Sequence, residues 1–336
     1  MTINIGINGY GRIGRNILRA LYESEIHNNL KIVAINDVGD NSVSAHLTMY
    51  DSAHGKFNQK VSADKNFMYV GEDKINITSE RDPSKILWSK YDVDLVFECT
   101  GKFNSKEETE IHLKNGAKKV LISAPAKNVD ATIVMGVNDE ILEKNHTIIS
   151  NASCTTNCIA PVIKVLNNTI GIEHGLITTI HSFTNDQRLT DANHKDIRRA
   201  RAATQSMIPT KTGAAKNVGL VIPELNGKLD GLAMRIPTVN VSVVDLVIRT
   251  KKDTSIEEIN KIILNSSENE MKNIIAYNDI PLVSVDFGHN AASAIYDCNL
   301  SKVMDKRLAK LYIWYDNEWG FSNRMLDAAI AFMNAK

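Results

Sequence analysis

Near the N-terminus, Gly9-Tyr10-Gly11-Arg12-Ile13-Gly14 separates a strand-like run, INIGIN, from a helical one, RIGRNILRALYES. A GxGxxG in that position needs a strand that stops abruptly, a tight turn, and a helix whose first N–H groups stay uncovered. It therefore commits this part of the chain to a βαβ unit. A second strand-like run, KIVAIND, closes on Asp37, 23 residues after Gly14. The glycines let backbone approach a pyrophosphate at the positive helix end. A carboxylate at Asp37 can accept ribose hydroxyls and would repel a 2′-phosphate, so the pattern points to NAD rather than NADP. The plainer reading is a turn aspartate ahead of Val38-Gly39; the strand-end position favours the cofactor.

The alternation continues through VDLVFECTG, KKVLIS and ATIVMGVN, with the helical SKEETEIHLKNG between them, where Ser105 and Glu108 form a capping box and Gly116 can close the helix. Strands alternating with helices read as α/β, a doubly wound Rossmann-type parallel sheet over residues 1–152. After that the pattern changes. LITTIHSF, VNVSVVDLVIRT, PLVSVDF and LYIWYDNE are long strand-like runs with few helices between them. They predict a second, α+β domain over 153–317 built on a mostly antiparallel sheet. One of its helices, TSIEEINKIILN, is expected to be capped by Thr254 and Glu257. The last segment, 318–336, places Met325, Leu326, Ala329, Ile330 and Met333 on one helical face and must pack on something.

A chain of 336 residues is too long for one average domain, which agrees with this division. Basic and acidic residues both total 39, so no net field invites nucleic acid or anionic lipid. No apolar run approaches a membrane span, and no leader pattern opens the chain. The four cysteines lack zinc-like CxxC pairs, so no metal is expected and the thiols read as free, in a cytoplasmic setting.

Cys154, in SNASCTTNC, is unlike a core cysteine because small polar residues surround it. The thiolate is the reactive form, so a nucleophilic role requires the site to lower its pKa. TTNCIAPVIKVLNN can form a helix beginning at the cysteine, whose dipole would stabilise an anion, although Pro161 should kink it unless it starts late. His181 closes the strand LITTIH and can serve as the base. Cys158, one turn on, reads as packing among Ile159, Ala160 and Val162.

NGYGRIGR, YDSAHGKF, SNASCTTNC, MIPTKTGAAK, RIPTVNVSVVDL and WYDNEWGFSNR occur in this order across the chain. In these motifs the sequence resembles the phosphorylating glyceraldehyde-3-phosphate dehydrogenases over essentially its whole length. The resemblance implies that Cys154 is the nucleophile and His181 its base. It assigns cofactor contacts to Gly9, Gly11, Arg12, Ile13, Asp37, Arg81, Ser123 and Asn317. Substrate and phosphate contacts fall on Ser153, Thr155, Thr184, Arg199, Thr212, Gly213 and Arg235. It further implies a homotetramer acting on a phosphorylated aldehyde and inorganic phosphate, with the segment 182–205 near cofactor and subunit contact and the terminal helix returned to the first domain. Ala192-Asn193 stands where strictly NAD-dependent members often carry Leu-Pro, which weakens the argument for strict NAD use.

Two other functions compete. Erythrose-4-phosphate dehydrogenase shares the cysteine and histidine but usually departs from TKTGAAK, which Thr210–Lys216 keeps here. A non-enzymatic role would use a basic loop, Arg188, Lys195, Arg198, Arg199 and Arg201, to bind RNA or a protein. Asp186, Asp191 and Asp196 interleave with those charges, so a solvated loop or a phosphate site is the simpler account.

Overall fold

The computed structural model describes residues 2–336, which form two compact units. The first comprises residues up to 133 together with 139–152 and 322–336; the second comprises 134–138 and 153–321.

In the first unit β1 (Ile3–Asn8), α1 (Arg12–Glu23), β2 (Leu30–Asn36) and α2 (Asn41–Met49) lead to a small hairpin, β3 (Tyr50–Asp51) with β4 (Gly55–Lys56). There follow β5 (Val61–Ala63), β6 (Phe67–Val70), β7 (Asp73–Thr78), β8 (Leu95–Glu98), α3 (Lys106–Lys114), β9 (Lys119–Ile122), β10 (Ala131–Thr132) and β11 (Ile148–Ser150). Nine strands make one sheet in the order β10-β11-β9-β8-β1-β2-β7-β6-β5. The run from β10 to β7 is wholly parallel, and β7-β6-β5 is an antiparallel edge. The chain builds outward from β1 through β2, then returns to β8 on the other side of β1. The strand order therefore reverses there, and the carboxyl ends of β1 and β8 are where an open α/β sheet binds its ligand. Trp88, Val96, Val120, Ile122 and Ile148 pack a core on this sheet with little or no solvent exposure.

The second unit starts with α4 (Cys154–Thr169) and β12 (Ile172–Ser182), then β13 (Ile208–Lys211), α5 (Ala214–Val221), β14 (Leu229–Ile236), β15 (Ser242–Thr250) and α6 (Ile256–Glu268). It continues through β16 (Ile275–Asn278), β17 (Ala294–Met304) and β18 (Leu308–Tyr315) into α7 (Trp319–Met333). Its seven strands lie in the order β13-β14-β12-β15-β18-β17-β16. Only β12–β14 and β16–β17 are parallel, so the sheet is mixed and mostly antiparallel. Helices α4, α5 and α6 pack on strands of this sheet. Val244, Leu246 and Ile248 of β15 are buried, while Arg249 on the alternate side is exposed, as period-2 geometry requires.

Four local expectations change. Pro161 lies inside α4, which runs unbroken from Cys154 to Thr169, because burial of Cys158, Ile159, Ala160, Val162 and Ile163 outweighs the missing backbone donor. The cap of α6 is Ser255, whose hydroxyl accepts from Glu258 N at 3.2 Å; Thr254 instead donates to Glu258 Oε2 at 2.8 Å. PLVSVDF is no strand: Asp286 accepts from Val283 N at 2.9 Å and closes a short 3-10 turn over Ser284–Phe287. The buried stripe of α7 runs through Met325, Leu326, Ala328, Ala329 and Phe332, leaving Ile330 and Met333 only half-buried.

Candidate active site

The three strand ends at the reversal point surround a concavity of about 250 Å³ in the first unit. Gly9, Gly11, Asp37 and Arg81 line it, together with Asn8, Asn36, Glu80, Cys99, Thr100, Lys102 and Phe103. Gly9 has φ +91°, and a Cβ there would lie 2.7 Å from Thr100 N. A Cβ on Gly14 would lie 2.4 Å from Gly9 O, so this glycine sets the close packing of helix on strand. At Gly11 a Cβ would meet nothing within 4 Å. That empty space adjoins the N-terminus of α1, whose N-cap Gly11 makes no side-chain hydrogen bond. An uncapped helix end, an open glycine and a strand-end carboxylate fit a dinucleotide.

The remaining cofactor candidates stand differently. Arg12 pairs bidentately with Asp51; although burial opposes it, that guanidinium and the amides of His54 and Ala53 hold the Asp51 carboxyl at about 2. Ile13 follows in the first turn of α1, outside the lining. Ser123 donates its hydroxyl to Glu98 O at 3.0 Å. Asn317 belongs to the second unit.

Sequence reasoning missed the floor of this pocket. Asn36 Nδ2 donates to Asn8 Oδ1 at 2.8 Å, and Asn8 Nδ2 donates to Glu98 Oε2 at 2.7 Å. Trp88 Nε1 donates to His112 Nδ1 at 3.0 Å, which leaves Nε2–H to meet Glu98 Oε2 at 3.1 Å. Every member is buried, so the network fixes the strand ends. A polar residue closing each of β1, β2 and β8 was the available signal.

In the second unit Cys154 is the first residue of α4, whose N-cap Ser153 accepts from Thr156 N at 3.1 Å. Its Sγ lies 3.6 Å from His181 Nε2 at the end of β12. His181 Nδ1 is 2.6 Å from Ser182 O, and Arg235 Nη1 is 2.7 Å from the same nitrogen and 3.1 Å from the same oxygen. A guanidinium only donates, and Arg235 Nη1 has Ser182 O to donate to. With Nδ1 donating to that same carbonyl at the shorter distance, the approach of Nη1 to Nδ1 is a contact between two donors rather than a hydrogen bond, and Nε2 is the acceptor that faces sulfur. Tyr315 stands edge-on to the imidazole at 5.9 Å, and its hydroxyl joins Thr155 at 2.9 Å and Thr179 at 2.8 Å.

Burial pushes the Cys154 thiol up, against the Arg235 charge and the hydrogen bonds of Thr155. Burial and then Arg235 push His181 down to about 3. Burial thus works toward the neutral form of both groups, against the helix dipole that sequence alone would credit with lowering the thiol pKa. Cys158 is fully buried and its Sγ lies 3.9 Å from Ile313 O.

The anion-binding candidates are drawn toward this pair unevenly. Arg235 reaches His181 directly, and its buried Nε has no partner. Thr184 N and Oγ1 both donate to Gln187 Oε1, at 2.9 and 3.2 Å. Arg199 is held by Asp186 Oδ2 at 2.5 Å and by Thr210 Oγ1 at 2.8 Å, with Asp196 at 3.8 Å. Gly213 is the N-cap of α5, and Thr212 Oγ1 accepts from Ala214 N at 3.2 Å. Among the described residues no cluster of three or more His, Cys, Asp or Glu side chains could hold a metal, and no helix is long and apolar enough to cross a membrane.

A Rossmann-type dinucleotide unit followed by an α+β unit carrying a thiol–imidazole pair defines an NAD-dependent oxidoreductase. Residues 3–106 match the family model described as glyceraldehyde 3-phosphate dehydrogenase, NAD binding domain, and residues 153–317 match the C-terminal domain of the same enzyme. Similar proteins include the plasmid-encoded glyceraldehyde-3-phosphate dehydrogenase of Cupriavidus necator, 57% identical over 100% of both chains. That of Pseudomonas aeruginosa is 56% identical over 100% of both, and that of Geobacillus stearothermophilus 51% identical over 98% of both. The chain belongs to the glyceraldehyde-3-phosphate dehydrogenase family.

Proposed function

We propose that this chain oxidises D-glyceraldehyde 3-phosphate with NAD and inorganic phosphate to 1,3-bisphosphoglycerate in the cytoplasm, as a glycolytic and gluconeogenic enzyme. The observation that carries the reading is the 3.6 Å approach of Cys154 Sγ to His181 Nε2. Nε2 accepts the thiol proton as sulfur adds to the aldehyde carbon, and returns it to the new alkoxide to give a thiohemiacetal. The Gly9–Gly14 turn and Asp37 would hold NAD, which would supply the acceptor for the hydride that leaves this carbon. Nε2 takes the hydroxyl proton as the C=O bond of the thioester forms. An oxygen of inorganic phosphate then attacks the acyl carbon, and the Cys154 thiolate leaves.

Arg235 and Thr184 are the donors proposed for the phosphate of the aldehyde. Arg199, Thr212, Gly213 and Thr155 are proposed for the incoming one, with Ser153 fixing the first turn of α4. The partnerless Nε of Arg235 supports its part. Arg199 must exchange or share its hold on Asp186 to bind an anion. Asn317 is proposed as a cofactor contact that would donate through Nδ2, because its Oδ1 already accepts two hydroxyls.

A homotetramer is proposed from the sheet of the second unit. On the side of its sheet opposite Ile177, Leu176 is 65% exposed, and Leu232 and Leu308 are also exposed. Exposed apolar side chains on one face of a sheet mark a surface that a second copy would cover.

NADH formation from glyceraldehyde 3-phosphate, measured with and without inorganic phosphate and beside erythrose 4-phosphate, tests the reading. Steady turnover should require phosphate. Phosphate-independent turnover, or a preference for the four-carbon substrate, would overturn it.

A further inference from the structure

The antiparallel ladder between β12 and β15 ends at Ile180 and Val243. Ser182 lies beyond it, and its N–H finds a side chain where a strand would offer a carbonyl, donating to Ser242 Oγ at 3.1 Å. Ser242 passes its own proton to Asn317 Oδ1 at 2.8 Å. Ser182 Oγ donates to that same oxygen, also at 2.8 Å. All three side chains are buried, so water cannot replace a lost partner.

The two hydroxyls are unequal. Removing that of Ser182 leaves Asn317 Oδ1 with the Ser242 donor and orphans nothing. Removing that of Ser242 strands the Ser182 N–H, and the Ser182 carbonyl is what receives His181 Nδ1 at 2.6 Å. Ser182 is also paired with Ile236 of β14, its carbonyl receives Arg235 Nη1 at 3.1 Å, and the next amide, Phe183 N, is tied to Thr238 O at 3.2 Å; Ser242 supplies the hold from the β15 side.

We propose that Ser242 is a positioning residue for the thiol–imidazole pair: its hydroxyl extends the finished ladder by one bond, holds Ser182, and so keeps the His181 proton on Nδ1 and the Nε2 lone pair aimed at Cys154. This rests on the reading of Cys154 and His181 as the reactive pair.

Alkylation of Cys154 by iodoacetamide, in the full-length protein without cofactor or substrate, reports on that pair directly as a function of pH. Ser242→Ala should slow it about tenfold at pH 7, the scale of one orphaned buried donor, and move the profile to higher pH. Ser182→Ala should change the rate less than about twofold, since it orphans no group. Ser242→Thr, which keeps the hydroxyl, should restore the profile. The decisive comparison is made in the His181→Asn background, where Ser242→Ala should cost nothing further because its effect passes through the imidazole. A Ser242→Ala that lowers the melting temperature but leaves the profile in place, or that slows alkylation equally without His181, overturns the proposal alone. If His181→Asn itself leaves the profile unchanged, the pair is wrongly assigned and both readings fall.

Discussion

His181 makes the acid response of the second unit calculable. Burial, with the Arg235 charge behind it, pushes the imidazole down to about 3, against about 6.5 in an unfolded chain. Between those values the unfolded chain takes up a proton that the folded one refuses. Unfolding therefore becomes easier as pH falls: the contribution is intact above about pH 6.5 and lost progressively toward about pH 3. Linkage between these two pKa values gives a loss of about 2 kcal/mol at pH 5 relative to pH 8. For a unit of this size that is about 4–8 °C in melting temperature. His181→Asn has no such proton to refuse, so its midpoint should fall less by that amount between pH 8 and pH 5. Calorimetric melts of both proteins at both pH values give the difference, in which the other titrating groups cancel. Parallel responses would show that burial does not depress this imidazole. A wild type that gains on the variant in acid would mean the resting pair is thiolate and imidazolium, and the argument from desolvation would be wrong in sign.

Two further outcomes follow from particular contacts. Asp37→Gly should weaken NAD use by about 10- to 100-fold, the scale of a charge-assisted hydrogen bond, and improve the relative use of NADP; steady-state kinetics with both cofactors check this, and an unchanged preference would make Asp37 a turn residue only. Tyr315→Phe leaves the Thr155 and Thr179 hydroxyls without the phenol that joins them, and should cost about 1–3 kcal/mol in denaturant unfolding; a loss below about 0.5 kcal/mol would mean that the threonines find other partners.

The βαβ grammar was legible because glycine spacing, strand runs and the strand-end carboxylate all constrain one local geometry. The nine-stranded parallel-centred sheet and the mixed second sheet are the fold class those runs imply. What escaped was set partly by tertiary partners and partly by local bonds that compete with the strand pattern. Thr254 and Ser255 are equally good caps in sequence, and only the entry angle of the chain selects Ser255. PLVSVDF alternates like a strand, but a local carboxylate–amide bond folds it into a turn. Cys154 and His181 are 27 residues apart in the chain, and their 3.6 Å separation depends on where β12 ends beneath α4. The arginine side of the site was least legible. A sequence shows that Arg199 is cationic; it does not show that Asp186 and Thr210 already hold it.

The first unit closes with residues from the far end of the chain. His27 Nε2 meets Asp327 Oδ1 at 2.7 Å, Lys119 Nζ donates to Phe332 O at 2.9 Å, and Lys144 N donates to Lys336 O at 3.0 Å. On a ribosome, therefore, the part of the protein made first is finished last. Its sheet can assemble as it emerges, but the surface that Ser322–Lys336 covers stays bare until the whole of the second unit has been synthesised. At roughly 5–20 residues per second, that surface is open for about ten seconds or more.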